Sequence, residues 1–246
     1  PMTLFAGLGA TSAVLMLVFK DTILGLAAGV RLTSNDMLHK GDWITVKSVD
    51  ANGIVEDMSL TTVKVRNFDN TIVTISPATL VNGSFQNWIG MQKSGGRRAK
   101  RIVYFDFRSI RLVDETLKQT LLAKHFATED SFKLKESLQK AIEKDIQEGK
   151  DIEDLKNPAA LAPTNLQLYR RFMEKYLRQR PEVNTELTLM VRHMEATQCG
   201  LPIEFYFFIK DKVWVNYEHI LADIMEHAYA LANEFGLKIY EQYPEQ

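Results

Sequence analysis

The sequence predicts a membrane helix joined to an α+β protein, and three observations predict it. Residues 2–19 form an apolar run just long enough to be a membrane candidate. Residues 43–75 contain short segments in which residues alternate between two faces, the period of a half-buried strand. Beyond residue 100, strand-like segments are interleaved with stretches whose apolar residues recur at helical spacing.

Composition sets the outer bounds. A chain of 246 residues holds one large or two small domains with real cores. With 25% charged residues and a net charge of -1, it is not a strongly basic nucleic-acid binder. A single cysteine, Cys199, excludes a disulfide scaffold within the chain and fits a reducing compartment. The chain opens on Pro1 inside the apolar run, with no basic segment ahead of it. It therefore reads as part of a longer protein, and no signal peptide is expected.

The helix comes first. Seven of the eight residues at 6–13 are small. Small residues let helix backbones approach closely, whereas contact with lipid tails is better served by Leu, Ile and Phe. The pattern suits a ring of tightly packed copies, with a buried helix of a soluble core or a trimmed signal-like segment as the plainer alternatives. Gly7 and Ala10 in this stretch, and Gly25 and Gly29 further on, are the expected helix-packing positions. Lys20 and Asp21 are costly in hydrocarbon, and Asp21 is a good N-cap. The expectation is a helix ending near Phe19, a kink at Lys20 and Asp21, and a new helix over residues 22–34. Ile23, Leu24, Leu26, Ala27 and Val30 give that second helix its apolar side. Gly9, Ala13, Leu17 and Asp21, four residues apart, are expected to share a face. Arg31, Lys40 and Lys47 follow, and basic residues flanking a span point to the cytoplasmic side.

The β segment follows. Lys40-Gly41-Asp42 is a turn signal. Strands are expected over residues 43–48, 54–58, 62–66 and 71–75. A hairpin turn is expected at Asp50-Ala51-Asn52-Gly53, another turn at Asp69-Asn70, and an end at Ser76-Pro77. Short strands at this spacing suggest a small antiparallel barrel or sandwich.

Three stretches together carry a family resemblance: "LGLAAGVRL", "KGDWITV" and "GIVEDMSLTTVKVRNFDNTIVTISPATLVNGSFQNW". They resemble the small-conductance mechanosensitive channel family, over roughly residues 7–108 and more loosely beyond. The resemblance implies a kinked pore helix in residues 1–35, an Sm-like β domain in 36–94 and an α/β domain in 95–246. It implies a homoheptamer, multi-pass in a bacterial inner membrane and surrounded by lipid, with this C-terminal region in the cytoplasm. The implied activity is a channel opened by membrane tension, passing ions and small osmolytes on hypo-osmotic shock. No cofactor is implied. The tension-sensing helices are expected mostly before residue 1. The size of the C-terminal part looks like the miniconductance branch of the family.

On this resemblance Gly9, Ala13, Leu17 and Asp21 line the pore. Two departures stand out. The family usually has glycine at the kink, where this chain has Asp21. The family closes its pore with two leucine rings one turn apart, and those positions fall on Ala13 and Leu17, so only one ring is bulky.

Residues 95–101 read as a flexible basic linker. Arg97, Arg98, Lys100 and Arg101 are expected either to be a solvated hinge or to line the openings of a cytoplasmic vestibule and bias ion entry. A strand is expected over residues 101–107, then helices over 113–126, 131–148 and 166–178, with a loop at 157–164. Leu134, Leu138, Ile142 and Ile146 give the second of these an apolar stripe. A hairpin over 187–196 and 202–209, a helix over 216–235 and a short strand at 237–240 complete the chain. This order fits a ferredoxin-like α/β domain with a helical insertion at about residues 127–182, expected to be peripheral and dispensable for assembly.

Other chemistry is poorly served. "GLGATS" lacks the third glycine and the preceding strand of a dinucleotide loop. His39, His125, His193, His219 and His227 show no metal-ligand spacing, and Cys199 has no cysteine partner, so no metal site is expected. No nucleophile–base or paired-carboxylate pattern asks for an enzyme. The competing reading is an Sm-like nucleic-acid-binding module that uses "GGRRAKR" to touch phosphate. The near-neutral charge and the apolar helix stand against it.

Overall fold

The computed structural model describes residues 2–133, 136–150 and 162–242, with backbone alone at 2–8, 10, 136 and 137. It divides into two compact units, Pro1–Ser94 and Gly95–Gln246.

The first unit opens with one helix, α1, over Met2–Ser34. It spans 33 residues, or about 50 Å. The break expected at Lys20 and Asp21 is absent, because the helix runs through both. The reason lies in the backbone. Neither residue removes a donor or clashes with the preceding turn as proline does, and no proline lies between Met2 and Ser34. Asp21 has helical neighbours on both sides and so is no N-cap. The helix ends where Asp36 enters the left-handed region at φ 56°.

Five strands follow: β1 Trp43–Val46, β2 Ala51–Met58, β3 Val63–Asn67, β4 Ile72–Ile75 and β5 Gln86–Asn87. Their order is β4-β3-β2-β1-β5, with every neighbour antiparallel. Two short helices, α2 Pro77–Asn82 and α3 Ile89–Lys93, flank β5. Ser76 caps α2 by accepting from the Thr79 amide, with Pro77 at the first turn. The alternation that marked the strands is real. Ala51, Gly53 and Val55 of β2 are buried, as are Val63 and Val65 of β3, while their neighbours face outward. The core they build also holds Ile44, Val46, Ile75, Leu80 of α2 and Leu32 of α1.

The β1–β2 turn lies three residues earlier than expected. Val46 pairs with Ala51, so residues 47–50 make the connection and Asp50 takes the left-handed conformation. Asn52 and Gly53 are strand residues. Asn52 Oδ1 accepts from Trp43 Nε1 at 2.9 Å and from the Thr45 hydroxyl at 3.0 Å. A Cβ on Gly53 would overlap the Arg66 carbonyl of β3. This glycine therefore serves close strand approach, not a turn.

The second unit has three long-paired strands: β6 Arg97–Phe105, β7 Met190–His193 and β8 Leu201–Ile209, in the order β6-β8-β7. Ile239 bridges antiparallel to Phe105 on the outer side of β6, where the last short strand was expected. The helices are α4 Glu115–Ala123, α5 Glu136–Gln147, α6 Asn165–Gln179 and α7 Trp214–Glu234.

Two expectations fail here. Residues 97–101 are not a flexible linker. They are the first half of β6, paired from Arg97↔Ile209 to Arg101↔Phe205. Strand pairing satisfies the backbone whatever the outward side chains carry. The segment 127–182 is not a peripheral insertion either, because it contains α6. Leu166, Tyr169, Met173 and Leu177 on that helix are buried in the core. Tyr169 packs edge-on against Phe105 and Phe235, with centroids at 5.3 and 5.6 Å, and donates to the Ala228 carbonyl of α7 at 2.6 Å. Burial pushes its hydroxyl pKa well up. At the start of α6, buried Asn165 donates to the carbonyls of Ser109 and Phe235 and accepts from the Arg111 amide. The expected stripe on α5 falls partly outside the described residues, at Leu134.

Candidate functional site

The sequence placed the site on α1, and α1 is where the unpartnered surface lies. Thr11–Ser34 is long and apolar enough to cross a membrane, by length and composition. Val14, Leu15, Met16, Leu17, Val18 and Phe19 are all more than half exposed. Consecutive residues sit about 100° apart on a helix, so these side chains surround it. An all-round apolar helix is stable only inside something else, a core or a membrane.

Gly9, Ala13, Leu17 and Asp21 are each exposed, with Leu17 at 73%. Four-residue spacing on a straight helix winds by about 40° a step, so adjacent members share a side while Gly9 and Asp21 end about 120° apart. Lys20 and Asp21 are both exposed helical residues. Gly7 and Ala10 lie on α1 as well, but their surroundings fall outside the described residues. A Cβ on Gly9 or on Gly25 would meet nothing within 4 Å. Gly29 differs. A Cβ there would overlap the backbone carbonyl of Leu60, in the β2–β3 connection. That glycine packs α1 onto its own β unit, not onto a second helix.

The last turns of α1 are the anchored end. Ala28 is 6% exposed and Leu32 is 1% exposed in the β core. Below them is a polar clamp that sequence reasoning missed. Buried Asp42 accepts from the His39 amide at 3.0 Å and from Asn87 Nδ2 at 2.8 Å. His39 also reaches Asp36 at 2.8 Å. The signal was the "HKGD" turn before β1, read only as a turn. The clamp ties the segment between α1 and β1 to strand β5.

The basic residues of the second unit are not a free patch. Register places Arg98 and Lys100 on one face of β6, opposite Phe208 and Tyr206. Lys100 Nζ lies 3.3 Å from Glu204, and Arg192 Nε donates to that carboxylate at 2.5 Å. Glu204 is 0% exposed. Burial works to raise its pKa, but the hydrogen bonds and charges of Arg192 and Lys100 outweigh it and hold the carboxyl below its usual range. Arg101 reaches Glu218 of α7 at 3.8 Å, and Arg97 lies over the Tyr217 ring at 4.3 Å. Arg98 stands 5.9 Å from the Tyr206 ring. Much of the charge expected to face permeating ions is thus engaged in holding β6 to β8 and α7. Among the described residues no group of three or more His, Cys, Asp or Glu could hold a metal ion.

Comparison with known proteins places these elements. The mechanosensitive ion channel β-domain family matches residues 21–90, from mid-α1 through β5. The small-conductance mechanosensitive channel MscMJ of Methanocaldococcus jannaschii is 34% identical over 84 residues, 34% of this chain and 23% of that protein. The large-conductance mechanosensitive channel MscMJLR of the same organism is 30% identical over 121 residues, 49% of this chain and 33% of that protein. These matches thus span a quarter to a third of the relatives' length. Among solved structures, Arabidopsis thaliana MSL1 aligns with a TM-score of 0.62 at 10% identity, over 98% of this chain and 66% of that one. The closed-state Helicobacter pylori MscS aligns with a TM-score of 0.57 at 13% identity, over 99% and 72%. At such identities the structural likeness speaks to the fold. The matched β unit, the apolar helix that feeds it and the shared fold lead to one conclusion: over residues 21–90 this chain is similar to the β-domain of mechanosensitive ion channels, and it shares the fold of channels of that kind.

Proposed function

We propose that the chain is a subunit of a mechanosensitive ion channel, in which copies of α1 surround a pore. One observation carries the reading. An apolar helix, uncovered on all sides over residues 11–20, is fixed at its other end to a β unit that matches the channel β-domain. Burial of apolar surface contributes about 25 cal/mol per Å², so this surface favours lipid and like helices over water. Small residues at 6–13 suit close contact between copies. Leu17 is the bulky member of the proposed pore stripe, and a ring of leucines blocks ions by excluding water. Membrane tension favours the state of larger area and so shifts the closed–open equilibrium.

The finer features belong to the same proposal. We read the assembly as a heptamer in a bacterial inner membrane, with the β and α/β units in the cytoplasm. We read the five-stranded unit as Sm-like. The second unit is ferredoxin-like, with Ile239, β6, β8 and β7 side by side. The miniconductance branch is retained for the long C-terminal part. The nucleic-acid alternative draws no support from the relatives found.

Reconstitution of the full chain in liposomes, with patch recording under graded suction, tests the activity. Discrete currents that rise with tension are expected. Their absence in patches that hold the protein, with native mass spectrometry giving only monomers or dimers, would refute the reading.

A further inference from the structure

A groove of about 380 Å³ lies within the second unit, between α6 and the segment that follows α4. Phe126, Phe172 and Tyr176 supply aromatic surface, and His125, Arg171 and Lys175 supply polar edges. The volume falls in the range of small-molecule clefts.

The charges are the informative part. Arg171 and Lys175 are exposed, stand one turn apart on α6 and line the same groove. Like charges at that spacing repel. The same helix handles its other cations differently. Arg178 pairs with Glu174 at 3.1 Å, Arg170 donates to the Val191 carbonyl at 3.3 Å, and just past the helix end Arg180 pairs with Glu182 at 3.2 Å. Among the described residues no carboxylate stands within ion-pair distance of Arg171 or Lys175. Two adjacent uncompensated cations present a site for a doubly charged anion, and a phosphate monoester carries nearly two charges at neutral pH.

The aromatic side narrows the ligand. Phe126 and Phe172 meet edge to face at 5.2 Å, and both are only partly buried, so ring surface remains open to the groove. A bare inorganic anion gains nothing from such a wall, whereas a flat ring buries apolar area against it. His125 adds a side chain at φ 60°, a conformation that glycine adopts at lower cost.

We infer that this groove binds a phosphate monoester carried on a flat ring, the chemistry of a nucleoside monophosphate. The phosphate sits between Arg171 and Lys175, and the ring lies against Phe126 and Phe172. The inference is independent of channel activity.

Isothermal titration calorimetry on the full chain in detergent tests it, with adenosine monophosphate, adenosine and inorganic phosphate as probes. Adenosine monophosphate should bind at least about tenfold more tightly than either part alone. The double variant R171Q/K175Q touches two exposed side chains and should keep the unfolding midpoint. It should lower affinity for adenosine monophosphate by about tenfold or more. Equal affinity for inorganic phosphate would overturn the role of the ring. No binding of adenosine monophosphate at millimolar concentration, or unchanged affinity in the double variant, would overturn the site.

Discussion

Helices α1 and α6 invert the simplest expectation about which helices are buried. The first is apolar along most of its length, yet Leu17 is 73% exposed. The second is rich in Arg, Lys, Glu and Gln, yet Leu177 is 0% exposed. The difference is one of pattern and partner. On α6 the buried apolar residues fall at 166, 168, 169, 173 and 177, one side of the helix that the sheet and α7 of its own unit can cover. On α1 the apolar residues go all the way round, and among the described residues its own unit covers only the last turns. Exposure on α1 therefore points outside the chain, whereas α6 is satisfied within it.

The hardest test of that contrast removes α6. Replacing residues 164–180 by a short linker should abolish cooperative unfolding of the second unit. Truncating even one of Tyr169, Met173 or Leu177 to alanine costs about 2–5 kcal/mol, and all three together rival the roughly 5–15 kcal/mol that holds a domain. Removing residues 2–20 should instead leave both units folded. Chemical denaturation followed by circular dichroism reads both outcomes. A folded second unit without α6 would restore the segment to a peripheral insertion.

A smaller effect is expected inside α1 itself. Leu32 is 1% exposed among Ile44, Val46, Val55 and Leu80. Leu32→Ala should cost the first unit about 2–5 kcal/mol, seen as a lower denaturation midpoint. Leu17→Ala should change that midpoint little, because nothing in its own unit packs over it. Equal costs would mean that Leu17 is covered by the chain after all.

Charges follow the same division. Lys20 and Asp21 are exposed, whereas Glu204 is enclosed between Lys100 and Arg192. The folded pKa of Glu204 is lowered relative to the unfolded chain, so its contribution is complete above the unfolded value of about 4.3. It is lost as pH falls through the folded value. Glu204→Gln should cost about 1–3 kcal/mol near neutral pH and should flatten the acid limb of the stability profile. An acid limb unchanged from the parent would assign that pH dependence to other carboxylates.

The sequence was most legible where period alone decides structure. Val63 and Val65 alternate with outward Lys64 and Arg66, and that alternation found β3 without help. Local composition misled where the partner is distant. The Gly95–Arg101 stretch read as a linker because its side chains are charged, while its backbone pairs with residues more than a hundred positions away. Gly53 read as a turn because its reason for being glycine is the Arg66 carbonyl across the sheet. The α6 helix was expected over residues 166–178, but nothing local separated a core helix from an inserted one. On α1, Gly9, Ala13, Leu17 and Asp21 are exposed, while Gly29 serves the β unit. What surrounds Gly9, Ala13 and Leu17 depends on molecules that a single chain does not contain.

The smallest effect on folding should come with the largest on gating. Leu17 and Leu32 lie fifteen positions apart on α1, about 60° around the helix, so they differ in what covers them more than in where they point. If seven or so copies close around Leu17, its side chains form a dry constriction, and wetting that ring is the barrier to ions. Leu17→Asn places a hydrogen-bonding group there and should lower the tension at which channels open. The unfolding midpoint should stay within about 0.5 kcal/mol of the parent, as for a surface substitution. Val18→Asn, about 100° further around the helix, should shift the threshold less. Patch recordings of both variants under graded suction decide between the faces. An unchanged threshold for Leu17→Asn beside a changed one for Val18→Asn would put the pore on the other side of α1. Unchanged thresholds in both would move the constriction off this stretch of the helix.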